Sequence, residues 1–335
     1  MKAARIHEYG EPDVFRIEDV EEPTVGSNEV LVAIRASSVN PIDYKIRGGG
    51  QRSVVWLSMP SKLGLDLSGV VTEVGAKVTR FAVGDEVYAS PSHRRIGTYA
   101  ERIAVRESEL AHKPKNLTHE EAASIPLVGL TAWDCLVGAA NVQPGERVLV
   151  QAGSGGVGTF AIQLAKALGA SEVLTTCSPR NHELVRSLGA DVCIDYRTED
   201  FEEVASGVDV ILESIGGEDV RKAIRTVRRG GRVACITAGL PGYTEQYGPA
   251  LGLTAMVSKT ATRMMCAAIG RNVKLRFVTR KASGENLQAI TDLIEAGKIR
   301  PVIDRVFPLD DIADAHRYLE TGRARGKVVI DVASA

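Results

Sequence analysis

No two cysteines in this 335-residue chain stand close enough to make a C-x-x-C motif. The five present (Cys135, Cys177, Cys193, Cys235 and Cys266) are scattered. A structural zinc on paired thiolates is therefore not expected, and most of the thiols read as reduced, small core residues. An excess of either charge is missing too. Lys and Arg total 41 against 42 Asp and Glu, and no long run of like charge occurs. A nucleic-acid surface, which needs clustered cations, is not expected. No apolar stretch reaches the roughly 18 residues of a spanning helix. The nearest, "PALGLTAMVSKTATRMMCAAIG", is broken by Lys259 and Arg263 and reads as an amphipathic helix. The opening "MKAARIHEYG" has neither the apolar centre of a signal peptide nor the composition of a transit peptide, so the cytoplasm is the expected address.

What is present fits a two-domain α/β protein. Residues 1–118 read as short strands and turns with little helical periodicity, as in "NEVLVAIRASSVN" and "LSGVVTEVGAKVTRFAVGDEVYA". At Thr118 the period becomes helical, with Glu121 three residues on completing a capping-box pattern. A second domain is expected over 119–283. Its strands are predicted at Arg147 to Gln151, Glu172 to Thr176, Val192 to Ile194, Val208 to Glu213, Arg232 to Thr237 and Lys274 to Thr279, with helices between several of them. That alternation predicts a doubly wound parallel sheet, the Rossmann plan. Residues 284–335 add a helix, "ENLQAITDLIEAG", and the strands "PVIDRVFP" and "GKVVIDV", returning to the first domain.

The stretch "VLVQAGSGGVGTFAIQLAKALGA" places Gly153, Gly155 and Gly158 between a strand and a helix. In that context the turn reads as a dinucleotide cradle, where a Cβ would obstruct the pyrophosphate and helix amides face the anion. The next strand ends in "TTCSPRN", with Cys177 and Ser178 where an NAD site usually has an acid, and Arg180 nearby. A hydroxyl and a guanidinium can bind a 2′-phosphate that a carboxylate would repel, so NADP(H) is the expected cofactor. A solvated Arg180 at a helix start is the alternative.

"GLDLSGVVTEVG" and "AGSGGVG", on a β-domain followed by a Rossmann domain, resemble the medium-chain dehydrogenase/reductase superfamily, whose N-terminal domain is a GroES-like β-barrel. In its zinc enzymes a Cys, the His of a Gly-His-Glu and a further Cys or Asp hold the metal. The matching positions here are Asn40, Leu65 and about Leu127, none of them a zinc ligand, so no metal is expected. "SSVNPIDYKIRGG", "GADVCIDYRTEDF" and the C-terminal "AGKIRPVIDRVFPLDDIADAHRYLETGRARGKVVIDV" resemble the zinc-independent quinone/enone oxidoreductase branch, which includes plant enone oxidoreductases.

The resemblance implies that Ser154, Gly155, Gly156 and Val157 hold the pyrophosphate, and that Ser178, Arg180 and Tyr196 surround the 2′-phosphate. It places Lys45 in reach of the cofactor, Thr131 at the nicotinamide end, Ile215 and Thr237 beneath it, and Arg323, Ala324 and Arg325 on a closing loop. It places "SSVNPIDYKIRGG" on a strand-turn at the active site. Lys45 also reads as a solvated loop lysine, and Tyr196 as a half-buried strand-end aromatic. Asp43 reads as a residue that fixes its turn. The implied activity is hydride transfer from NADPH to a quinone or to the C=C of an enone, with a non-catalytic NADPH-binding protein as the rival reading. Water can return the proton and the sequence names no catalytic acid, Tyr44 and Tyr99 being reachable candidates only; a homodimer is implied through a sixth strand in "NVKLRFVTRK".

Overall fold

The computed structural model describes residues 1–236, 246, 248, 254 and 268–333. Thr237, Cys266 and most of the expected helix around Lys259 and Arg263 lie outside the described residues. The chain forms two units, Met1–Leu130 with Lys281–Ala335, and Thr131–Arg280.

The first unit opens with β1 (Lys2–Ile6), β2 (Phe15–Asp19) and β3 (Glu29–Val39). Helix α1 (Pro41–Arg47) then corrects the reading of the first 118 residues as strands and turns alone, and of "NPIDYK" as a strand-turn. Its signals are local. Pro41 occupies the first turn, where its missing N–H costs nothing, and Asp43 accepts from the Asn40 amide at 2.8 Å to close a capping box. Asp43 thus fixes its turn as expected.

Strands β4 (Ser61–Lys62), β5 (Leu67–Val74), β6 (Glu86–Ala89), β7 (Arg102–Arg106) and β8 (Leu110–His112) follow, then α2 (His119–Ala123) and α3 (Pro126–Trp133). Thr118 caps α2 as its spacing predicts: Glu121 N donates to Thr118 Oγ1 at 3.2 Å, and Thr118 N to Glu121 Oε2 at 2.9 Å. Yet α2 packs on β3, β5 and β6, strands of the first unit. The division therefore falls at 130/131, inside α3, rather than at 118/119, and at 280/281 rather than 283/284. A change of period marked a new element there, and the element belongs to the older core.

The second unit holds β9 (Arg147–Val150), α4 (Gly156–Ala167), β10 (Glu172–Thr176), α5 (His182–Ser187), β11 (Val192–Ile194), α6 (Phe201–Val204), β12 (Val210–Glu213), α7 (Glu218–Thr226), β13 (Arg232–Cys235) and β14 (Lys274–Phe277). All six strands run parallel in the order β11-β10-β9-β12-β13-β14, the dinucleotide-fold order in which the chain reverses direction beside its first strand. Leu149, Leu174, Ile211 and Val233 fill the centre of the sheet against Phe201, Val220 and Ile224. Such strands are buried on both faces, which is why they read as unbroken apolar runs.

The chain then returns to the first unit through α8 (Gly284–Glu295), β15 (Ile303–Pro308), α9 (Ile312–Glu320) and β16 (Lys327–Asp331). Tyr88 donates its hydroxyl to the Leu287 carbonyl at 2.7 Å, and β16 pairs antiparallel with β3. The long β3 also carries β5 and β7, so one strand organises the seven-stranded sheet. Among the described residues no helix is long and apolar enough to cross a membrane.

Candidate cofactor site

In the second unit the glycine turn joins β9 to α4. Thr176 grips it from the next strand: Ala152 N donates to Thr176 Oγ1 at 3.0 Å, and Gly153 N to the Thr176 carbonyl at 2.9 Å. A Cβ at Gly153 would stand 2.0 Å from Thr175 Oγ1, and one at Gly158 would stand 2.3 Å from the Ala152 carbonyl. These two glycines are demanded by the protein's own packing, which corrects the reading that all three make room for a ligand. At Gly155 a Cβ would meet only Ala152 O, at an ordinary 3.4 Å, so the turn is open on that side. Gly155 is the N-cap of α4 and contributes no capping side chain. The first-turn amides, Gly156 and Val157 among them, are without helical acceptors and suit an anion. The cradle therefore fits a pyrophosphate.

Because the strands are parallel, their carboxyl ends share one edge, and that edge collects Ser154, Ser178, Tyr196 and Ile215. Ser178 follows β10 and is buried, while Arg180, two residues on, is exposed. Asn181, which the sequence reading passed over, is buried and joins the two serines. Its Nδ2 donates to Ser154 Oγ at 2.9 Å and to Ser178 Oγ at 3.3 Å. Tyr196 stands just past β11, 59% exposed, so its ring is neither half-buried nor part of the core; Arg197 lies over it at 5.7 Å.

Ile215 follows β12 and is 54% exposed, a large apolar side chain held out by its loop. Glu213 holds that loop. One carboxylate oxygen accepts from Ile215 N at 2.7 Å and Gly216 N at 2.5 Å, and the other from Cys235 Sγ at 2.8 Å. Burial raises the Glu213 pKa, while these donors pull it down. Thr131 is buried in α3.

The first unit carries Lys45 and the Arg323–Arg325 loop. Lys45 lies on α1, half-buried, and burial lowers its ammonium pKa. It is therefore a helix residue rather than a solvated loop lysine. Arg47, on the same helix and almost wholly buried, donates to both carboxylate oxygens of Glu320, at 2.7 and 3.2 Å. The same guanidinium bonds His316 Nδ1 at 3.0 Å. Burial, and then the charge of Arg47, push His316 down to about 3, so the ring is neutral and accepts that bond. This brace fixes α1 to the end of α9, from which residues 323–325 depart.

Around Asn40 lies a buried polar network. Asp66 Oδ2 accepts from Ser38 Oγ at 2.7 Å and Asn40 Nδ2 at 2.8 Å, and Asp66 Oδ1 accepts from Leu127 N at 2.7 Å. The Lys327 ammonium donates to Asn40 Oδ1 and lies 3.4 Å from Asp66 Oδ2. Tyr99 donates its hydroxyl to Asp43 Oδ2 at 3.0 Å and is fully buried, with its pKa raised well above 10 by burial and then by Asp43. Tyr99 is thus committed inside the protein, which corrects its reading as a reachable proton donor. Tyr44 is half-buried, and burial raises its phenol as well.

Comparison with known proteins agrees with this architecture. Residues 26–115 match the alcohol dehydrogenase GroES-like domain, and residues 188–330 match the zinc-binding dehydrogenase family. The mouse (Mus musculus) NAD(P)H oxidoreductase RTN4IP1, mitochondrial, is 38% identical over 99% of this chain and 89% of its own length. The chloroplastic NADPH-dependent alkenal/one oxidoreductase of Arabidopsis thaliana is 37% identical over 98% of this chain and 79% of its own. The structure of the quinone oxidoreductase from Coxiella burnetii superposes with a TM-score of 0.85 at 33% identity over 99% of each chain. The zinc named by the second match does not suit the residues here. Asn40 Oδ1 faces an ammonium, Leu65 is a buried aliphatic side chain, and Leu127 offers only a backbone amide already given to Asp66. By its two-unit fold, its glycine turn and these relatives, the chain belongs to the medium-chain dehydrogenase/reductase superfamily.

Proposed function

We propose that this protein is an NADP(H)-dependent, zinc-independent oxidoreductase that reduces quinones or the C=C of α,β-unsaturated carbonyls. The observation that carries the reading is the end of β10, where Ser178 and Arg180 stand in place of a carboxylate beside the open amide cradle of α4. The names of the relatives, an alkenal/one oxidoreductase and a quinone oxidoreductase among them, support the substrate class.

In this reading Ser154, Gly155, Gly156 and Val157 receive the pyrophosphate through amides and one hydroxyl. Ser178, Arg180 and Tyr196 receive the 2′-phosphate, and the family resemblance assigns cofactor contacts to Ile215, Thr237, Thr131, Lys45 and Arg323–Arg325 as well. The bound cofactor supplies a hydride. Glu213 orients the Ile215 ledge, and the Arg47–Glu320 brace orients Lys45 and the 323–325 loop. Because Asn40, Leu65 and Leu127 do not suit a metal that would polarise an alcohol, an acceptor whose negative charge develops on a distant oxygen is favoured, since a few hydrogen bonds stabilise it. Self-association as a homodimer is part of the proposal. Among the described residues β14 pairs with β13 alone and exposes Phe277.

A panel of enones, enals, quinones and saturated alcohols, assayed with NADPH and NADH, tests the proposal. NADPH oxidation by enones or quinones, with little alcohol turnover, is expected. Alcohols turning over as readily as enones would overturn the substrate class, and tight NADPH binding without any turnover would favour a binding protein.

A further inference from the structure

Ser154 and Ser178 sit 24 residues apart on different loops, and each hydroxyl has two faces: one hydrogen to donate and lone pairs to accept with. The 2′-phosphate and the pyrophosphate present only acceptor oxygens near neutral pH. Each serine can serve a phosphate only if its hydrogen is left over. The same nitrogen, Asn181 Nδ2, donates to Ser154 Oγ at 2.9 Å and to Ser178 Oγ at 3.3 Å. Both serines are thereby acceptors toward the protein. Among the described residues no protein group takes the hydrogen of either hydroxyl.

The cost of this arrangement is visible. Asn181 is 4% exposed, and its Oδ1 is buried with no hydrogen-bond partner. Turning the amide over would give Oδ1 two hydroxyl donors, at the expense of the serines' hydrogens. The residue is anchored for its task by the turn, since its own N–H donates to the Ser178 carbonyl at 2.9 Å.

We propose that Asn181 is a positioning residue that sets the polarity of Ser154 and Ser178, turning both hydroxyls into phosphate donors and so contributing to preference for the 2′-phosphorylated cofactor. It acts through the serines and does not touch the cofactor. The inference rests on the NADP(H) reading given above and names the device by which that site is tuned.

The test is a double-mutant cycle on cofactor affinity. Dissociation constants for NADPH and NADH are measured by fluorescence titration for wild type, Asn181→Ala, Ser178→Ala and the double variant. Asn181→Ala is expected to weaken both cofactors by about two- to tenfold through Ser154, with a further loss of similar size for NADPH alone through Ser178. In the Ser178→Ala background that extra NADPH loss should vanish, leaving equal effects on the two cofactors. Circular dichroism checks that the variants fold. Asn181→Ser, which keeps a short donor, is read in the same cycle if the alanine variant does not fold, and should fall between wild type and alanine in NADPH affinity.

Equal weakening of NADPH and NADH by Asn181→Ala, or an NADPH-specific loss that persists without Ser178, would overturn the inference while leaving NADP(H) binding intact. Wild-type protein with no preference for NADPH would overturn both it and the cofactor reading beneath it.

Discussion

Lys327 donates its ammonium to Asn40 although 287 residues separate them, and the same nitrogen lies 3.4 Å from the fully buried carboxylate of Asp66. A cation thus sits among the positions at which metal-dependent members of the superfamily hold zinc. Positive charge there disfavours a second cation, and the oxygens of Asn40 and Asp66 are already engaged.

Chelation should therefore leave activity unchanged. Reduction of a quinone by NADPH is measured before and after exhaustive treatment with EDTA, alongside elemental analysis of the purified protein. Stoichiometric zinc, or activity lost to EDTA and restored by zinc, would refute the zinc-independent reading.

Replacing Lys327 by methionine should keep the shape of the side chain and strip Asp66 of its cation. A buried pair broken at one end costs about 3–5 kcal/mol, because the remaining charge is left uncompensated. Urea unfolding of Lys327→Met measures it. A change below about 1 kcal/mol would mean that the hydrogen bonds from Ser38, Asn40 and Leu127 suffice for Asp66.

Asp43 supplies a pH dependence. Burial lifts its pKa from the ordinary 3.8 to about 7, opposed by the hydrogen bonds from Asn40 and Tyr99 and by the charge of Lys327, and aided by the charge of Asp66. A raised acid binds its proton more tightly folded than unfolded. Its contribution is complete below about pH 4 and is lost as pH climbs through about 7. Asp43→Asn should abolish that part of the slope, so that the variant gains on wild type between pH 5 and 8 by up to a few kcal/mol in order of magnitude. Parallel stability profiles for the two proteins would show that Asp43 does not titrate in this range.

Arg180 is exposed, so its bond to a 2′-phosphate would be screened by salt. Arg180→Ala should weaken NADPH binding by about tenfold, at the low end for a charge-assisted hydrogen bond, and leave NADH unchanged. The loss should shrink as ionic strength rises. Equal weakening of both cofactors would mean that Arg180 supports the loop and not the phosphate.

Most of the dinucleotide fold was legible because its signals are local. Glu172–Thr176 and Val192–Ile194 form over their expected bounds, and Thr118 with Glu121 announces α2. The cradle was legible for the same reason, although two of its glycines answer to Thr175 and Ala152 rather than to a ligand. Helix α1 was missed because seven residues are too few to show a period, even though Asn40, Pro41 and Asp43 spell its start. Asn181 was missed because nothing in "SPRNHEL" says which backbone turns bring it to Ser154, 27 residues earlier. Tyr99 was misjudged because burial is a tertiary property. A loop tyrosine looks the same in sequence whether it faces a ligand or, as Tyr99 does, an aspartate.

The division of the first unit between the two ends of the chain has a consequence for how the protein is made. Thr131–Arg280 is one continuous stretch and can assemble as soon as it leaves the ribosome. The first unit cannot, since Asp66 waits 261 residues for Lys327. At about 5–20 residues per second, that interval lasts roughly 13 to 50 seconds. During it β3 lacks β16, and the carboxylate of Asp66 has no cation to meet it. The unit whose strands emerge before the second unit is thus completed after it.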